Sequence, residues 1–205
     1  MRKLNKRKLQ AQETRQLIYN QATRLIREKG FYNVSIEDIT SAADVSIGTF
    51  YYYFQNKDDL LLLWADNLDQ HYSDYYEGEI EKPNRKNALE ILEGMLNFSL
   101  EIYSDLGAEF ATVSYSYIMR NKQANERYAG SYRVYRRIIR SLIHEAQEQG
   151  LIRKDMQLES IVQNFYKVAR GGIMDWCING GDKDIKEFSS DFIRCFIDGI
   201  KPQTT

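Results

Sequence analysis

Proline, cysteine and long apolar runs are all scarce in this chain of 205 residues, which holds only two prolines and two cysteines. The cysteines, Cys177 and Cys195, do not have metal-ligand spacing, so the sequence predicts no metal site and reduced thiols. The longest apolar runs, such as residues 60–65, are too short to span a bilayer. The basic N-terminus lacks the apolar segment of a secretory signal. We therefore expect a cytoplasmic protein without a membrane partner.

Strand patterns are also missing, because no stretch alternates apolar and polar residues over any length, and no internal repeat is evident. Apolar residues instead recur at helical spacing along almost the whole chain. This periodicity predicts an all-α fold. The predicted helices cover residues 10–29, two short segments with Ser35 and Ser46 as N-caps, a segment from the cap Asn56 to about 79, and then 85–105, 109–119, 124–149, 158–178 and 185–200.

Charge is distributed unevenly along the chain. Residues 1–57 hold ten Lys and Arg against five Asp and Glu, a net charge of +5, whereas the remaining residues hold 18 against 24, a net charge of −6. A basic head on an acidic body suits a phosphate-binding surface on the head. A solvated basic segment with no partner explains the same numbers, and the charge division alone does not separate the two interpretations.

Residues 34–61 form the most informative stretch, VSIEDITSAADVSIGTFYYYFQNKDDLL. Two short helical patterns are joined by a tight turn at Asp44 and Val45, and the second helix carries three consecutive tyrosines. Three successive residues of a helix cannot all face a core, so at least one tyrosine points outward. The pattern predicts a helix-turn-helix whose second helix is laid into a DNA groove.

These residues resemble the TetR family of bacterial transcriptional regulators. The matching elements are Lys29-Gly30-Phe31, Val34-Ser35-Ile36-x-x-Ile39, Ala43-x-Val45-Ser46-x-Gly48-Thr49-Phe50-Tyr51 and Tyr53-Phe54-x-Asn56-Lys57-x-x-Leu60. The resemblance implies a three-helix DNA-binding domain over residues 1–57, followed by a larger all-helical effector-binding and dimerisation domain over 58–205. The family often has histidine where this chain has Tyr53 and leucine where it has Phe50.

The resemblance also assigns contacts with double-stranded operator DNA. Gly48 lets the helix backbone approach the groove, and Thr49 either contacts DNA or serves only the helix turn. Lys57 at a helix start suits a phosphate, since a cation is unfavourable there without an anion, although a solvated side chain is the alternative. The expected DNA-binding residues are Ser35, Ser46, Ile47, Gly48, Thr49, Tyr51, Tyr52, Tyr53 and Lys57.

A single helix-turn-helix reads few base pairs, so we expect a homodimer on a pseudo-palindromic site. By resemblance, the last two helices pair with those of a second copy as a four-helix bundle. The alternative is that these apolar faces pack only within one subunit. They carry Phe165, Val168, Ala169, Gly172, Phe188, Phe192, Phe196 and Ile197.

The body of the family usually encloses a small-molecule pocket, and this body is rich in tyrosines, whose flat faces and hydroxyls suit an aromatic or lipophilic effector. We expect no cofactor and no metal. Glu109 and Arg170 are candidate polar anchors. The expected effector-binding residues are Trp64, Phe98, Tyr103, Phe110, Tyr117, Tyr132, Tyr135, Tyr166 and Arg170.

We thus expect a ligand-responsive repressor whose fourth helix shifts when the effector binds, which changes the distance between the two recognition helices. An enzyme is not expected, because no catalytic motif is present and the only histidines, His71 and His144, lie on helical segments. A DNA-binding or interaction protein without an effector stays open as an alternative, as does activation instead of repression.

Overall fold

The computed structural model describes residues 2–130 and 133–203. It describes the side chains from residue 8 onward, except those of residues 65 and 66. Nine α-helices and no strand occur in these ranges, which confirms the all-α prediction. The chain divides into two compact units, Met1–Trp64 and Ala65–Thr205. This division falls inside a helix, whereas the sequence placed the domain limit at residue 57; the predicted limits stay a prediction. No helix of the described ranges is long and apolar enough to cross a membrane.

The first unit contains three helices and the beginning of a fourth. They are α1 (Arg2–Lys29), α2 (Ile36–Ala42), α3 (Ile47–Tyr53) and the start of α4 (Asp59–Ile80). Helix α1 begins earlier than the predicted residue 10, because residues 2–9 contain good helix formers and neither glycine nor proline. It ends where Gly30 adopts a φ of 85°, a left-handed conformation that favours glycine.

The core of this unit is built from apolar residues at helical spacing. Ile18 and Ala22 of α1 are buried, as are Ile39 of α2 and Phe50 of α3. Phe50 and Phe54 pack with ring centroids 5.3 Å apart, so the sequence assigned these two residues correctly as inward anchors.

The second unit contains the rest of α4 and five further helices. They are α5 (Ala88–Arg120), α6 (Lys122–Ala129), α7 (Val134–Glu148), α8 (Leu158–Ile178) and α9 (Ile185–Ile200). Helix α5 packs against all four of the helices that follow it, and α8 packs against α7 and α9. The buried core of this unit includes Leu92 and Leu96 of α5, Ile139 of α7 and Phe165 of α8.

The division into helices differs from the prediction at two places. The single helix predicted over 124–149 is in fact two, α6 and α7, because Gly130 leaves the helical conformation with a ψ of 138°. The two helices predicted over 85–105 and 109–119 lie within one assigned helix, α5. The break between them is nevertheless real in the backbone, since Gly107 there has φ 83° and ψ 160°.

Candidate functional site

Helix α3 presents two contrasting faces. Ile47, Gly48, Tyr51 and Tyr52 are exposed, with Tyr51 at 53% and Tyr52 at 79% of full exposure, whereas Phe50 is completely buried. Exposed residues at positions i, i+1, i+4 and i+5 share one face of a helix. The structure therefore brings four of the predicted DNA-binding residues together on one solvent-facing surface, which we call the α3 face.

Thr49 and Tyr53, the half-buried members of the predicted set on α3, lie at the margins of this face. The Tyr53 ring packs edge-on against Tyr52 with centroids 4.9 Å apart. The Thr49 hydroxyl lies 2.9 Å from the Ser46 hydroxyl, and the Thr49 amide donates to the Ser46 oxygen at 3.0 Å. Ser46 thus caps α3, as the sequence predicts, and its hydroxyl holds the helix start in place.

The preceding helix is capped in a reciprocal way. The Asp38 amide donates to the Ser35 hydroxyl oxygen at 3.0 Å, while the Ser35 amide and hydroxyl donate to the Asp38 carboxylate at 2.9 and 2.7 Å. These hydrogen bonds lower the pKa of Asp38, and the hydrogen bond from the Ser35 amide has the largest effect. Between the helices, Asp44 has a φ of 51°, which makes the tight turn. Ser35 is exposed, and its hydroxyl has a structural role in the capping box.

Lys57 lies in a turn just before α4 and is half-buried. Its ammonium group donates to the main-chain oxygens of Phe31, at 2.6 Å, and Val34, at 2.8 Å, and lies 4.3 Å from the centre of the Phe31 ring. A cation at a helix start is unfavourable without a negative partner. Here two main-chain carbonyl oxygens stabilise the charge of Lys57, so no phosphate is required for this purpose. A phosphate contact from Lys57 stays a prediction.

The second unit encloses a small cavity, which we call the tyrosine–arginine cavity. Its walls come from five helices, α4 to α8, and from the segment before α7. Its volume is about 40 Å³, which is room for roughly three water molecules. The lining residues are Leu68, Tyr72, Ser99, Tyr103, Tyr115, Tyr128, Ala129, Gly130, Arg133, Tyr135, Arg136, Tyr166, Ala169, Arg170 and Ile173.

The break at Gly107 in α5 allows one helix to supply facing walls. On a straight helix, Tyr103 and Tyr115 would lie about 18 Å apart along the axis. Their ring centroids are in fact 5.6 Å apart and the rings nearly parallel, at 21°. The left-handed conformation of Gly107 turns the chain between them, which only glycine adopts without strain.

Hydroxyl groups connect the tyrosines of the cavity. The Tyr128 hydroxyl lies 3.1 Å from that of Tyr115 and 3.5 Å from that of Tyr103, and the Tyr135 hydroxyl lies 2.7 Å from that of Ser99. Burial is the main cause that raises the pKa of Tyr103, Tyr115 and Tyr135 well above the usual range. Burial also raises the pKa of Tyr72 and Tyr166, so these phenols stay neutral at physiological pH.

Three arginines lie in the wall of the cavity, and no acidic residue does. The Arg133 guanidinium pairs with Asp69 of α4 at 2.9 Å, and the same carboxylate accepts the amides of Val134 and Tyr135 at the start of α7. Arg170 instead lies near two rings, with its guanidinium 5.5 Å from the centre of Tyr128 and 5.6 Å from that of Tyr166. The wall is therefore aromatic, polar and positively charged.

The predicted effector-binding residues only partly coincide with this wall. Tyr103, Tyr135, Tyr166 and Arg170 line it, while Tyr132 lies outside the described residues. The other four do not line it. Trp64 is buried in the first unit, Phe98 stacks on Tyr75 at 4.5 Å, Phe110 is buried elsewhere on α5, and the Tyr117 hydroxyl accepts from Asn121 at 3.1 Å. The anchor candidate Glu109 is exposed.

Several wall residues are outside the expected effector-binding set, notably Tyr72, Tyr115, Tyr128, Arg133 and Arg136. A helical stripe was available as a signal on α8, where residues 166, 169, 170 and 173 line one face. No comparable pattern indicated the wall residues of α6 and α7, because the sequence predicted one continuous helix in place of these two.

Helices α8 and α9 expose an apolar surface. Ile178 is exposed at 79% and Phe192 at 49%, with Met174 also exposed and Phe188 half-buried. Gly172 has a role within the subunit, since a Cβ atom there would lie 3.1 Å from the Ser189 hydroxyl oxygen of α9. Phe165 is completely buried, so part of the predicted dimerisation set packs inside one subunit.

Potential metal ligands and the two histidines are the remaining candidates for a functional site in the described part of the chain. No group of three or more His, Cys, Asp or Glu side chains there is placed to hold a metal ion. His71 and His144 are both exposed, and neither lines the tyrosine–arginine cavity.

Comparison with known proteins gives a consistent result. Residues 18–63 match the family model described as bacterial regulatory proteins, tetR family. The fatty acid metabolism regulator protein of Bacillus subtilis (strain 168) is 24% identical over 187 residues, which are 89% of this chain and 93% of that protein.

Solved structures share the fold of most of the chain. FadR of Bacillus halodurans, a fatty acid degradation regulator, has a TM-score of 0.72 at 18% identity, covering 93% of this chain and 97% of that one. FadR of Thermus thermophilus, a repressor solved with lauroyl-CoA, has a TM-score of 0.67 at 21% identity with the same coverage. The helix-turn-helix within residues 18–63 thus matches the tetR family of bacterial regulatory proteins, and the chain is similar in fold to the FadR structures.

Proposed function

We propose that this protein is a ligand-responsive transcriptional repressor. It binds a pseudo-palindromic operator as a homodimer, acts in the cytoplasm and has no catalytic role. A small lipophilic or aromatic effector enters the tyrosine–arginine cavity and releases the operator. The observation that carries this proposal is the α3 face, where four residues of the predicted DNA-binding set are exposed opposite the buried Phe50.

The α3 face suits a DNA groove for three reasons. Gly48 presents no side chain and so permits close approach of the helix backbone to DNA. Tyr51 and Tyr52 offer phenol groups that can donate to phosphate oxygens, and both side chains are more than half exposed. Phe50 and Phe54 fix the orientation of the helix by packing beneath it.

The tyrosine–arginine cavity suits an effector because flat apolar rings alternate with hydroxyl and guanidinium groups. The relatives named after fatty acid metabolism, one of them solved with lauroyl-CoA, make an acyl compound one candidate class. The volume of about 40 Å³ is smaller than the several hundred Å³ typical of ligand pockets. We therefore expect the cavity to widen as the effector enters.

Widening of the cavity would link effector binding to release of the operator through α4. Leu68 and Tyr72 of α4 form part of the wall, and Tyr72 stacks on Tyr135 of α7 with centroids 3.7 Å apart. An effector that separates these rings displaces α4, which begins six residues after the end of α3. A displaced α4 changes the separation of the two recognition helices in the homodimer, so both half-sites can no longer be bound together.

The homodimer is supported by the exposed apolar surface of α8 and α9. Met174, Ile178 and Phe192 expose large side chains on these neighbouring helices. Contiguous exposed apolar surface is typical of protein interfaces. Pairing of α8 and α9 across a two-fold axis would bury these side chains in a four-helix bundle.

The proposal is tested by selecting bound sequences from a random pool of duplex DNA with the full-length protein. We expect enrichment of a two-fold-symmetric site, and an affinity for it that falls steeply with salt in fluorescence anisotropy. Analytical ultracentrifugation should show two subunits per protein particle in the absence of DNA. Failure to enrich any sequence, or binding that does not change with salt, would contradict the proposed DNA-binding function.

A further inference from the structure

Tyr166 and Arg170 lie one turn apart on α8, and both line the tyrosine–arginine cavity. The Tyr166 hydroxyl and the Arg170 Nε are buried, and neither has a hydrogen-bond partner among the described residues. Buried polar groups in proteins are nearly always hydrogen-bonded, so two such atoms in one wall call for an explanation. A ligand group that accepts a hydrogen bond from each of them provides one.

The Arg170 guanidinium is held in place by aromatic rings. The Tyr128 and Tyr166 rings lie 5.5 and 5.6 Å from it, and the Tyr166 ring also lies 5.8 Å from the guanidinium of Arg136. Ring faces stabilise a cation but accept no strong in-plane hydrogen bond, so the N–H edge of the guanidinium stays available. This edge matches the two oxygens of a carboxylate.

The charges around the cavity are compensated unequally. Arg133 pairs with Asp69, and Arg136 lies 3.4 Å from Glu159, whose carboxylate is also bound by Arg140 at 2.6 Å. Arg170 forms no ion pair with any described residue. The tyrosines cannot supply the missing charge, because burial raises the pKa of their phenols and keeps them neutral. Among the three arginines of the wall, Arg170 is therefore the one that has no ion-pair partner among the described residues.

We infer that the effector is a small carboxylate with an aromatic or short aliphatic body, whose carboxylate is bound by Arg170 and Tyr166 while its body packs on the tyrosine rings. This inference rests on the proposed function, since it names the ligand class of the same cavity. The cavity of about 40 Å³ favours a small body. A quaternary ammonium compound is disfavoured, because arginines already occupy the ring faces on which such a cation would lie.

The test uses two series of probes that differ only in the charge of the head group. One consists of benzoate, benzyl alcohol and benzyltrimethylammonium, and the other of octanoate, octan-1-ol and octyltrimethylammonium, with octanoyl-CoA as an additional arm. Thermal shift and isothermal titration calorimetry are carried out on the full-length protein. We expect at least one carboxylate to bind tenfold more tightly than its neutral and cationic counterparts.

Variants locate the head-group site. Arg170→Gln should lower the affinity for that carboxylate at least tenfold, and Tyr166→Phe, which removes one oxygen atom and keeps the ring, should lower it several-fold. Arg140→Gln is the matched control, because Arg140 is exposed and lies outside the cavity wall. Arg170→Met should not lower the melting temperature of the unliganded protein, whereas an arginine with only a structural role would lower it when removed.

The outcomes separate this inference from the proposed function. Equal binding of neutral or cationic probes, binding of octanoyl-CoA alone, unchanged carboxylate affinity in Arg170→Gln, or no carboxylate binding at all would each overturn the inference. None of these results affects the selection of an operator by the unliganded protein. Conversely, a protein that binds a carboxylate through Arg170 but selects no DNA sequence would retain the inferred ligand site and lose the proposed function.

Discussion

The ammonium group of Lys57 donates a hydrogen bond of 2.6 Å to the main-chain oxygen of Phe31, across 26 positions of sequence. A second hydrogen bond, of 2.8 Å, reaches the oxygen of Val34. Lys57 thus fastens the connection between α1 and α2 to the turn that precedes α4. A residue expected at the DNA surface has a structural role within its own domain.

Substitution Lys57→Met should lower the free energy of unfolding by about 2 kcal/mol, since two charge-assisted hydrogen bonds to main-chain oxygens are lost. Chemical denaturation followed by circular dichroism measures this change. Lys8→Met, at an exposed position of α1, is the control and should have little effect. If Lys57→Met is as stable as the wild type but binds the operator weakly, phosphate contact is the main role of Lys57.

The turn between α8 and α9 offers a matched pair of glycines. Gly180 and Gly181 have φ values of 91° and 70°, so alanine is strained at either position. A Cβ atom at Gly181 would also lie 2.1 Å from the Cβ of Ala108, whereas the nearest atom at Gly180 is 3.5 Å away. We expect Gly180→Ala to cost about 1 kcal/mol and Gly181→Ala clearly more, as measured by thermal unfolding. Equal losses would show that the contact with Ala108 has no energetic weight.

The capping box of α2 makes stability depend on pH. Because the folded-state pKa of Asp38 is lowered, its stabilising effect is present at neutral pH and is lost as the pH falls through that value. Ser35→Ala removes the hydroxyl partner, so the pKa of Asp38 should rise toward its usual range in an NMR titration. The stability difference between wild type and variant should shrink between neutral pH and about pH 3. A difference that is the same at both pH values would exclude the carboxylate as its cause.

Substitution Tyr52→Ala should weaken operator binding about tenfold without changing stability, because its ring is 79% exposed and the loss of one hydrogen bond to a charged phosphate is of this size. Fluorescence anisotropy on the selected operator measures the affinity. Tyr32→Ala, a tyrosine that is 72% exposed but lies outside α3, is the control. Equal affinities of wild type and Tyr52→Ala would remove Tyr52 from the DNA contacts.

Local patterns predicted the first unit well. Its caps Ser35 and Ser46, the stop at Gly30 and the inward Phe50 and Phe54 all follow from interactions within a few residues. Lys57 shows the limit of such reasoning, since its partners lie 23 and 26 positions away and no local pattern indicates main-chain oxygens brought close by folding.

The cavity was predicted less well for a similar reason. Tyrosines on α5, α6 and α7 meet only because α5 turns at Gly107 and because α6 and α7 separate near Gly130. Composition indicated a tyrosine-rich body, but which rings face inward depends on these two turns. Phe98 and Tyr72 illustrate the difference: the sequence favoured Phe98, whereas Tyr72 lines the wall.

The claim that DNA binding responds to a ligand is tested most directly by the affinity of the full-length protein for its selected operator, measured by anisotropy with and without the probe carboxylate that gives the largest thermal shift. We predict that a carboxylate concentration that saturates the wild type but lies well below the carboxylate Kd of Arg170→Gln raises the operator Kd at least tenfold in the wild type and leaves it nearly unchanged in Arg170→Gln. An operator Kd that is the same with and without the bound carboxylate would contradict the account.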